Sequence, residues 1–331
     1  MSTPSSPLRI GTLGAATITP AALIKPARTN DRVEVGAVAA RDRPRADAFA
    51  AKHSIPVVHG SYGELLEDPS IDAIYNPLPN GLHAEWTIAA LEAGKHVLCE
   101  KPFTNNAAEA RDVAAAAERT GLVVMEAFHY RYHPLMQRAV EVARSGELGE
   151  LRMVEAWLQA PILKRHDIRY DLALGGGAGM DMGAYTTHQV RTLLGEEPTV
   201  TAARAKESSP GVDRWMRAEL AFPSGAIGRT TVSLFGAVPV RVGFHLIGSK
   251  GVLKVLNPAQ PAIYSRFTVK IGDHRRRETF SRTPTYTYQL EAFAAAVLDG
   301  APVLTPPADS IANMEVIDAI YTAAGLPLRG A

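Results

Sequence analysis

The stretch Leu8-Arg9-Ile10-Gly11-Thr12-Leu13-Gly14-Ala15-Ala16-Thr17-Ile18-Thr19 runs from a short apolar strand into a turn of small residues and then towards a helix. Small residues in such a turn let the backbone come close to a pyrophosphate. The helix N-terminus adds free N–H donors and a favourable dipole. Against the G-x-G-x-x-G spacing only Gly14 is kept, with Ala16 and Thr19 in the other two places. Alone, the stretch reads equally as a plain strand–turn–helix.

The residues beyond it decide between the two. Further strands are expected at Val33–Ala39, Ile55–Val58, Ala73–Tyr75, His96–Cys99 and Val123–Glu126. Helices are expected at Ile18–Pro26, Pro44–Lys52, Gly63–Leu66, His83–Ala93 and Ala107–Arg119. Pro44 suits a first helical turn, and Gly94 and Gly121 suit left-handed caps. Strands alternating with helices imply right-handed crossovers and a parallel sheet covered on both faces.

After about residue 128 the rhythm changes. Helices are expected at 134–145 and 180–194, then strands at Val200–Ala205, Met216–Phe222, Ile227–Leu234, Val240–Ile247, Val252–Val255 and Phe267–Ile271. Turn signals rather than helices separate these strands, the mark of an antiparallel sheet. Two alanine-rich helices, 286–298 and 308–324, come after them. The fold class is α/β: a Rossmann domain over 1–127 with a parallel sheet, then an α/β domain over 128–331 with a large, open, mainly antiparallel sheet. A length of 331 residues fits two domains of about 150 residues each.

Thirty-five basic against 34 acidic residues leave a net charge of +1. No bulk field recruits nucleic acid or an acidic membrane. No run of about 18 apolar residues occurs, so no spanning helix is expected. Residues 1–7 read as a frayed tail rather than a signal peptide. A single cysteine, Cys99, points to a reducing compartment and a cytoplasmic protein. One cysteine with dispersed histidines offers no metal cluster, which disfavours a zinc dehydrogenase.

The end of the second strand bears on cofactor choice. A carboxylate there would bind the ribose 2′-OH of NAD; the chain instead reads Ala39-Ala40-Arg41-Asp42-Arg43. Arg41 stands where a guanidinium pairs with a 2′-phosphate and stacks on adenine. Asp42 reads as the start of the next helix. NADP(H) is therefore the expected cofactor, with NAD(H) possible. The alternative is that Arg41 and Arg43 are solvated surface charges.

Three segments carry the chemistry. Asn76-Pro77-Leu78-Pro79-Asn80-Gly81-Leu82-His83 lies directly after a parallel strand, so Pro77, Leu78, Asn80 and His83 are expected to face the ligand crevice. His83 as a helix cap is the alternative. Cys99-Glu100-Lys101-Pro102 stands at the end of the next strand. It would put Glu100 and Lys101 beside the cofactor, where burial favours neutral lysine. The other reading of Lys101 is a solvated edge charge. In the third segment, Gly175 to His188, Asp181, Tyr185 and His188 stand at i, i+4 and i+7, one face of a helix. A hydrogen-bonded domain interface is the alternative there.

In this order the segments resemble the Gfo/Idh/MocA oxidoreductases over nearly the whole chain. The most specific marks are Glu100-Lys101-Pro102, Asn80-x-x-His83, Glu126 to Pro134 (EAFHYRYHP) and Gly175 to Tyr185. The resemblance implies hydride transfer between NAD(P) and a sugar, cyclitol or related carbonyl or alcohol. It implies that Lys101 lies near the nicotinamide and the reacting oxygen, and that Asp181 is the family's carboxylate. Tyr185 stands where many members have histidine. That resembles the tyrosine subgroup of dimeric dihydrodiol dehydrogenases, NADP-linked xylose dehydrogenases and deoxysugar ketoreductases. His188 falls where the histidine-type members often carry a second aspartate, which speaks against an inositol substrate.

On this footing Tyr185 is the expected general acid in carbonyl reduction. Its free pKa of about 10 would be lowered by a charged Lys101. Lys101 as the donor, with Tyr185 as its hydrogen-bond partner, is equally open. Asp181 would orient Lys101 or bind a substrate hydroxyl. Arg131, Arg169, Tyr170 and His188 are expected on the substrate side, together with His133. Two competing readings keep the fold: NAD-assisted redox cleavage of a glycosidic bond, and a nucleotide sensor without turnover. An open sheet face calls for a partner, with Gly228–Ala237 among its contributors, so a homodimer or homotetramer is expected.

Overall fold

The computed structural model describes residues 6–164, 167–235 and 240–330. Residues 1–5 of the expected tail and the end of the Gly228–Ala237 stretch lie outside them. The chain divides into two compact units. One holds the chain up to Phe103, Ala108–His129 and Tyr286–Ser310; the other holds Thr104–Ala107, Tyr130–Thr285 and the chain from Ile311.

In the first unit, strands β1 (Leu8–Leu13), β2 (Val33–Ala39), β3 (Val57–His59), β4 (Ala73–Asn76), β5 (His96–Cys99) and β6 (Val124–Glu126) form one sheet. Its order is β3-β2-β1-β4-β5-β6 and every pairing is parallel. That is the dinucleotide-binding order, with its switch point between β1 and β4. Between strands run a π-helical turn (Pro20–Ile24) continued by α1 (Lys25–Ala27), then α2 (Arg43–His53), α3 (Tyr62–Glu67), α4 (His83–Glu92) and α5 (Ala107–Thr120). The central strands are buried on both faces, as a parallel sheet with helices on each side demands. Asp42 and Ser61 cap α2 and α3 by accepting from Arg45 N and Glu64 N.

The second unit opens with α6 (Pro134–Arg144), β7 (Leu151–Gln159), α7 (Ala178–Asp181) and α8 (Gly183–Leu194). Then come β8 (Thr199–Ser209), β9 (Val212–Ala221), β10 (Ile227–Ser233), β11 (Arg241–Gly248), β12 (Gly251–Leu256), β13 (Arg266–Ile271) and β14 (His274–Glu278). The sheet order is β14-β13-β12-β11-β7-β10-β9-β8. Only β7 and β10 pair in parallel; the other pairings are antiparallel. Helix α8 packs on β7 and β10. The other face carries Met153, Glu155, Trp157 and His245; Arg241 lies 3.9 Å from the Trp157 ring centroid and His245 meets that ring edge-on.

Helices α9 (Thr285–Asp299) and α10 (Pro307–Ala323) complete the elements. From Tyr286 to Ser310 the chain returns to the first unit rather than staying with the residues after 128. Its anchors are polar. Asn30 Nδ2 donates to Glu291 and Arg32 to Asp299. Thr305 Oγ1 donates to Glu126 O, and Glu126 N donates to Thr305 O.

Two strands were not expected from the sequence. β7 sets Glu155 among apolar residues, because the face it shares with Met153 and Trp157 is not covered by helices. β14 is a run of arginines, held by Arg276 donating to both oxygens of Glu147 at 2.6 and 2.8 Å. The expected helix 180–194 is broken at Met182 (φ −101, ψ −32), which closes α7 and opens α8.

Phe244, in the middle of β11, is fully buried. Phe244→Ala is expected to cost about 3–5 kcal/mol, read as a lower urea midpoint at unchanged slope.

Candidate active site

All carboxyl ends of a parallel sheet lie at one edge, so the loops after β1, β2, β4 and β5 gather there. The turn after β1 starts at Gly14, in a left-handed conformation (φ 80), with its N–H on Ala39 O. A Cβ at Gly14 would come within 3.3 Å of Leu78. Among the described residues, no partner bonds the N–H groups of Ala15, Ala16, Thr17 or Ile18. Four free donors in a cradle that a side chain would fill fit a pyrophosphate.

Beside them, Arg41 is exposed at the end of β2. Arg45, which sequence reasoning passed over, donates from Nη2 to Ala15 O at 2.8 Å. Both cations pull down the pKa of Tyr62, although burial of that phenol keeps it raised overall. Arg43 is turned away onto Asp47. The R-x-x-x-R spacing of Arg41, ahead of the Asp42 cap, and Arg45, in the first turn of α2, was the available signal.

The loops after β4 and β5 are stitched together by His83. Its Nδ1 lies 2.8 Å from Pro102 O and its Nε2 2.7 Å from Leu78 O. A neutral ring has one N–H and donates to only one of these carbonyls. Burial pushes its pKa down to about 4, the carbonyls pull the other way, and the charge of Lys101 adds to the lowering. His83 is thus a buried brace, not a residue open to a crevice. Asn76 Nδ2 donates to His83 O and Thr87 Oγ1. Glu100 N donates to Asn76 O. Pro77 and Leu78 are buried, and Asn80, in the turn before α4, is half-buried.

Lys101 is half-buried, before a cis bond to Pro102. The Glu100 carboxylate accepts from Tyr75 Oη at 2.7 Å and from Lys101 N at 3.3 Å. His129 is fully buried near Lys101: burial, then the lysine's charge, pushes its pKa to about 3. Tyr286 stacks on His129 with ring centroids 4.1 Å apart. Burial, then the negative charge of Glu100, raises its pKa. No motif in the sequence marked Tyr75 or Tyr286 for this place.

In the second unit, the structure gathers Arg169 with Asp181 and Tyr130 with both Tyr185 and His188. Arg169 Nε donates to Asp181 Oδ2 at 2.7 Å and Nη1 to Asp167 at 3.0 Å. The two carboxylates, Asp181 first, raise the arginine's pKa. Tyr170 Oη donates to Ile162 O. Tyr185 is buried, its ring 5.8 Å from that of Tyr130. Tyr130 Oη makes a short hydrogen bond with His188 Nδ1. His133 bonds the Leu135 N–H through Nδ1 and so caps α6, and Arg131 is half-buried. Because α7 ends at Asp181, that residue and Tyr185 do not share one unbroken helix face. Tyr130 was legible only as part of the EAFHYRYHP run.

Among the described residues, no group of His, Cys, Asp or Glu stands as a metal site, and no helix is long and apolar enough to cross a membrane.

A dinucleotide-type parallel sheet, a donor-rich glycine turn and a lysine–carboxylate loop at one sheet edge fit a dinucleotide-binding protein. Residues 8–128 match the oxidoreductase family with a NAD-binding Rossmann fold, and residues 136–254 match the GFO/IDH/MocA C-terminal domain. The chain belongs to the Gfo/Idh/MocA family of oxidoreductases. It is 38% identical to D-xylose 1-dehydrogenase (NADP(+)) 2 of Haloferax volcanii, over 96% of this chain and 97% of that one. It is 36% identical to trans-1,2-dihydrobenzene-1,2-diol dehydrogenase of Bos taurus, over 68% and 67% of the two chains. The crystal structure of a 3-ketoreductase from Actinomadura kijaniata, in complex with NADP and TDP-benzene, superposes with a TM-score of 0.89. That pair is 31% identical, over 96% of this chain and 98% of the other.

His83 gives a pH signature. A free imidazole titrates near 6.5 and the folded one near 4, so the folded state disfavours the proton. The stability it contributes is present above pH 6.5 and is lost as the pH falls towards 4. The loss is on the order of 3 kcal/mol. His83→Asn is expected to flatten that part of the stability–pH curve, measured by urea denaturation at half-unit steps. His129 titrates in the same direction and leaves a residual slope.

Proposed function

We propose that the protein is an NADP(H)-dependent oxidoreductase acting on a sugar, or on a sugar-like carbonyl or alcohol. The observation that carries this is the Gly14 turn with its four unbonded N–H groups beside Arg41 and Arg45. The NADP(+)-linked xylose dehydrogenase and the NADP-bound ketoreductase among its relatives support the same reading.

In this reading the N–H groups of Ala15 to Ile18 hold the pyrophosphate, and Arg41 with Arg45 holds the 2′-phosphate. Pro77, Leu78 and Asn80 border the ring end, with His83 bracing their loop. The nicotinamide, when bound, gives or takes the hydride. Tyr185 gives its phenolic proton to the carbonyl oxygen in reduction and takes it back in oxidation. Lys101 supplies positive charge to the same oxygen, which lowers the cost of a phenolate or alkoxide. Glu100, tied to Tyr75 and to the Lys101 N–H, holds the backbone at that lysine. Asp181 is committed to Arg169, and the pair presents hydrogen-bonding groups to substrate hydroxyls. Residues 128–331 also supply the association face. Ile227, Met153 and His245 on the uncovered side of the eight-stranded sheet suit a second copy of this chain, giving a homodimer or homotetramer.

Two measurements test the cofactor and the acid. Fluorescence titration is expected to give NADPH at least about tenfold tighter than NADH; Arg41→Ala should weaken NADPH about 10–100-fold and leave NADH alone. Equal affinity for the two cofactors in the parent protein would overturn the phosphate site. Tyr185→Phe is expected to lower kcat by on the order of 10²–10⁴, with NADPH affinity within about twofold. D-xylose with NADP(+) is the first substrate to try, then deoxy-ketosugars with NADPH. For the association face, light scattering after size-exclusion chromatography should give two or four chains; a single-chain mass at micromolar concentration would remove it.

A further inference from the structure

The segment 175–179, just ahead of Asp181 and Tyr185, is glycine-rich and holds Gly175 (φ 73) and Gly177 (φ 131) in conformations that side chains rarely adopt. Such a turn has little intrinsic preference for one shape. Here it is held by a buried group from far along the chain. Arg329 Nε donates to Gly176 O at 2.7 Å, and Nη2 lies 3.2 Å from Asp213 Oδ1. Nη1 donates to Pro327 O, and the guanidinium lies 4.3 Å from the Tyr321 ring centroid. Asp213 in turn accepts from Tyr321 Oη and from Gly179 N, each at 2.7 Å. The side chains of Arg329 and Asp213 are both 0% exposed.

The fit leaves no slack. A Cβ at Gly177 would collide with Asp213 Oδ1, and one at Gly179 would lie 2.7 Å from Tyr321 Oη. The turn is also tied to the Arg169 segment: Gly177 N donates to Arg169 O and Gly176 N to Asp171 O. Asp181 N then donates to Gly177 O. Bonds therefore run without a gap from Arg329 through the glycine turn to Asp181 and its ion pair with Arg169. Only a planar fork reaches Gly176 O, Asp213 and Pro327 O together; an ammonium does not. Burial pushes the Asp213 carboxyl up, while Tyr321, Gly179 N and Arg329 pull it back.

We infer that Arg329 is a positioning residue for the reaction: with Asp213 it fixes the 175–179 turn and, through it, the places of Asp181 and Tyr185. The inference rests on the proposed role of Tyr185 as proton carrier. A displacement of about an ångström at such a site costs on the order of 10²-fold in rate. A large kinetic effect from a residue distant in sequence is thus the natural consequence.

The test uses the full chain, with D-xylose and NADP(+) as probes. Arg329→Lys keeps the charge and loses the fork. The pair Arg329→Met with Asp213→Asn removes both charges, so that no buried carboxylate is left alone if the lysine variant fails to fold. Each is expected to lower kcat about 10–100-fold while NADPH affinity stays within about twofold. Amide exchange over 175–181 should speed up about tenfold or more. In a Tyr185→Phe background the Arg329 substitution should cost almost nothing further, since both act on one step. Parent kcat and parent exchange in a folded double variant would falsify the inference. Equal losses in both backgrounds would also overturn it, reducing Arg329 to an anchor of the fold. If neither D-xylose with NADP(+) nor a deoxy-ketosugar with NADPH is turned over, or if Tyr185→Phe alone keeps full activity, it is the proposed function that fails. The exchange measurement still decides whether Arg329 holds the turn.

Discussion

A parallel strand has a direction, and six of them side by side deliver all their carboxyl ends to one edge. The first unit follows from that constraint. Its strands commit their side chains to the core on both faces, which leaves polar chemistry to the loops beyond their ends. The loops after β1 and β2 hold the free N–H groups, Arg41 and Arg45. Those after β4 and β5 hold Asn76, His83, Glu100 and Lys101. No single motif places all of these groups together; the sheet brings them to one edge. His83 then sets one loop against the next, and it does so as a buried neutral ring because an imidazolium there would be starved of water.

The second unit solves a different problem. Its sheet is covered on one side by α8 and offers its other side to an unlike environment, so its strands carry mixed faces. Its candidate chemical groups stand not at strand ends but around a break between two helices. Met182 ends one helix and starts the other, so Asp181 and Tyr185 are set by the break as much as by helical periodicity. A break of that kind keeps its shape only if the turn ahead of it is held. The buried Asp213, Tyr321 and Arg329 supply that hold, against the penalty of desolvating two charges.

These differences explain which features could be read from the residues alone. The alternation in the first third was legible because doubly buried strands are uniformly apolar and their helices are bounded by Pro44, Gly94 and Gly121. β7 was hidden because Glu155 lies opposite Arg229 and His245 on the uncovered face. β14 was hidden because Arg276, in the middle of its arginine run, is paired with Glu147, a partner far away in sequence. Gly14, Arg41 and Lys101 were legible as local motifs. Arg45 was missed although it lies only four residues from Arg41, since nothing local says that its guanidinium reaches back to Ala15 O. Arg329 had no signal: one arginine near the end of a chain looks solvated until its burial is seen.

In the proposed reading, recognition and positioning are handled by cations of opposite character. Arg41 and Arg45 stay near water, where a guanidinium keeps its hydration until a phosphate arrives and where its interaction is screened by salt. In the proposed reading they discriminate between two cofactors, yet they impose little on the fold. Arg329 is the reverse. It is fully desolvated, its guanidinium bonds end on Gly176 O, Pro327 O and Asp213, and it offers no face to a ligand. Its charge is useful only because Asp213 and the carbonyl of Gly176 are there to receive it. A site that, as proposed, chooses its cofactor at one edge and holds a glycine turn elsewhere needs both kinds. Exposure is what separates the two, since neither residue type nor charge differs between them.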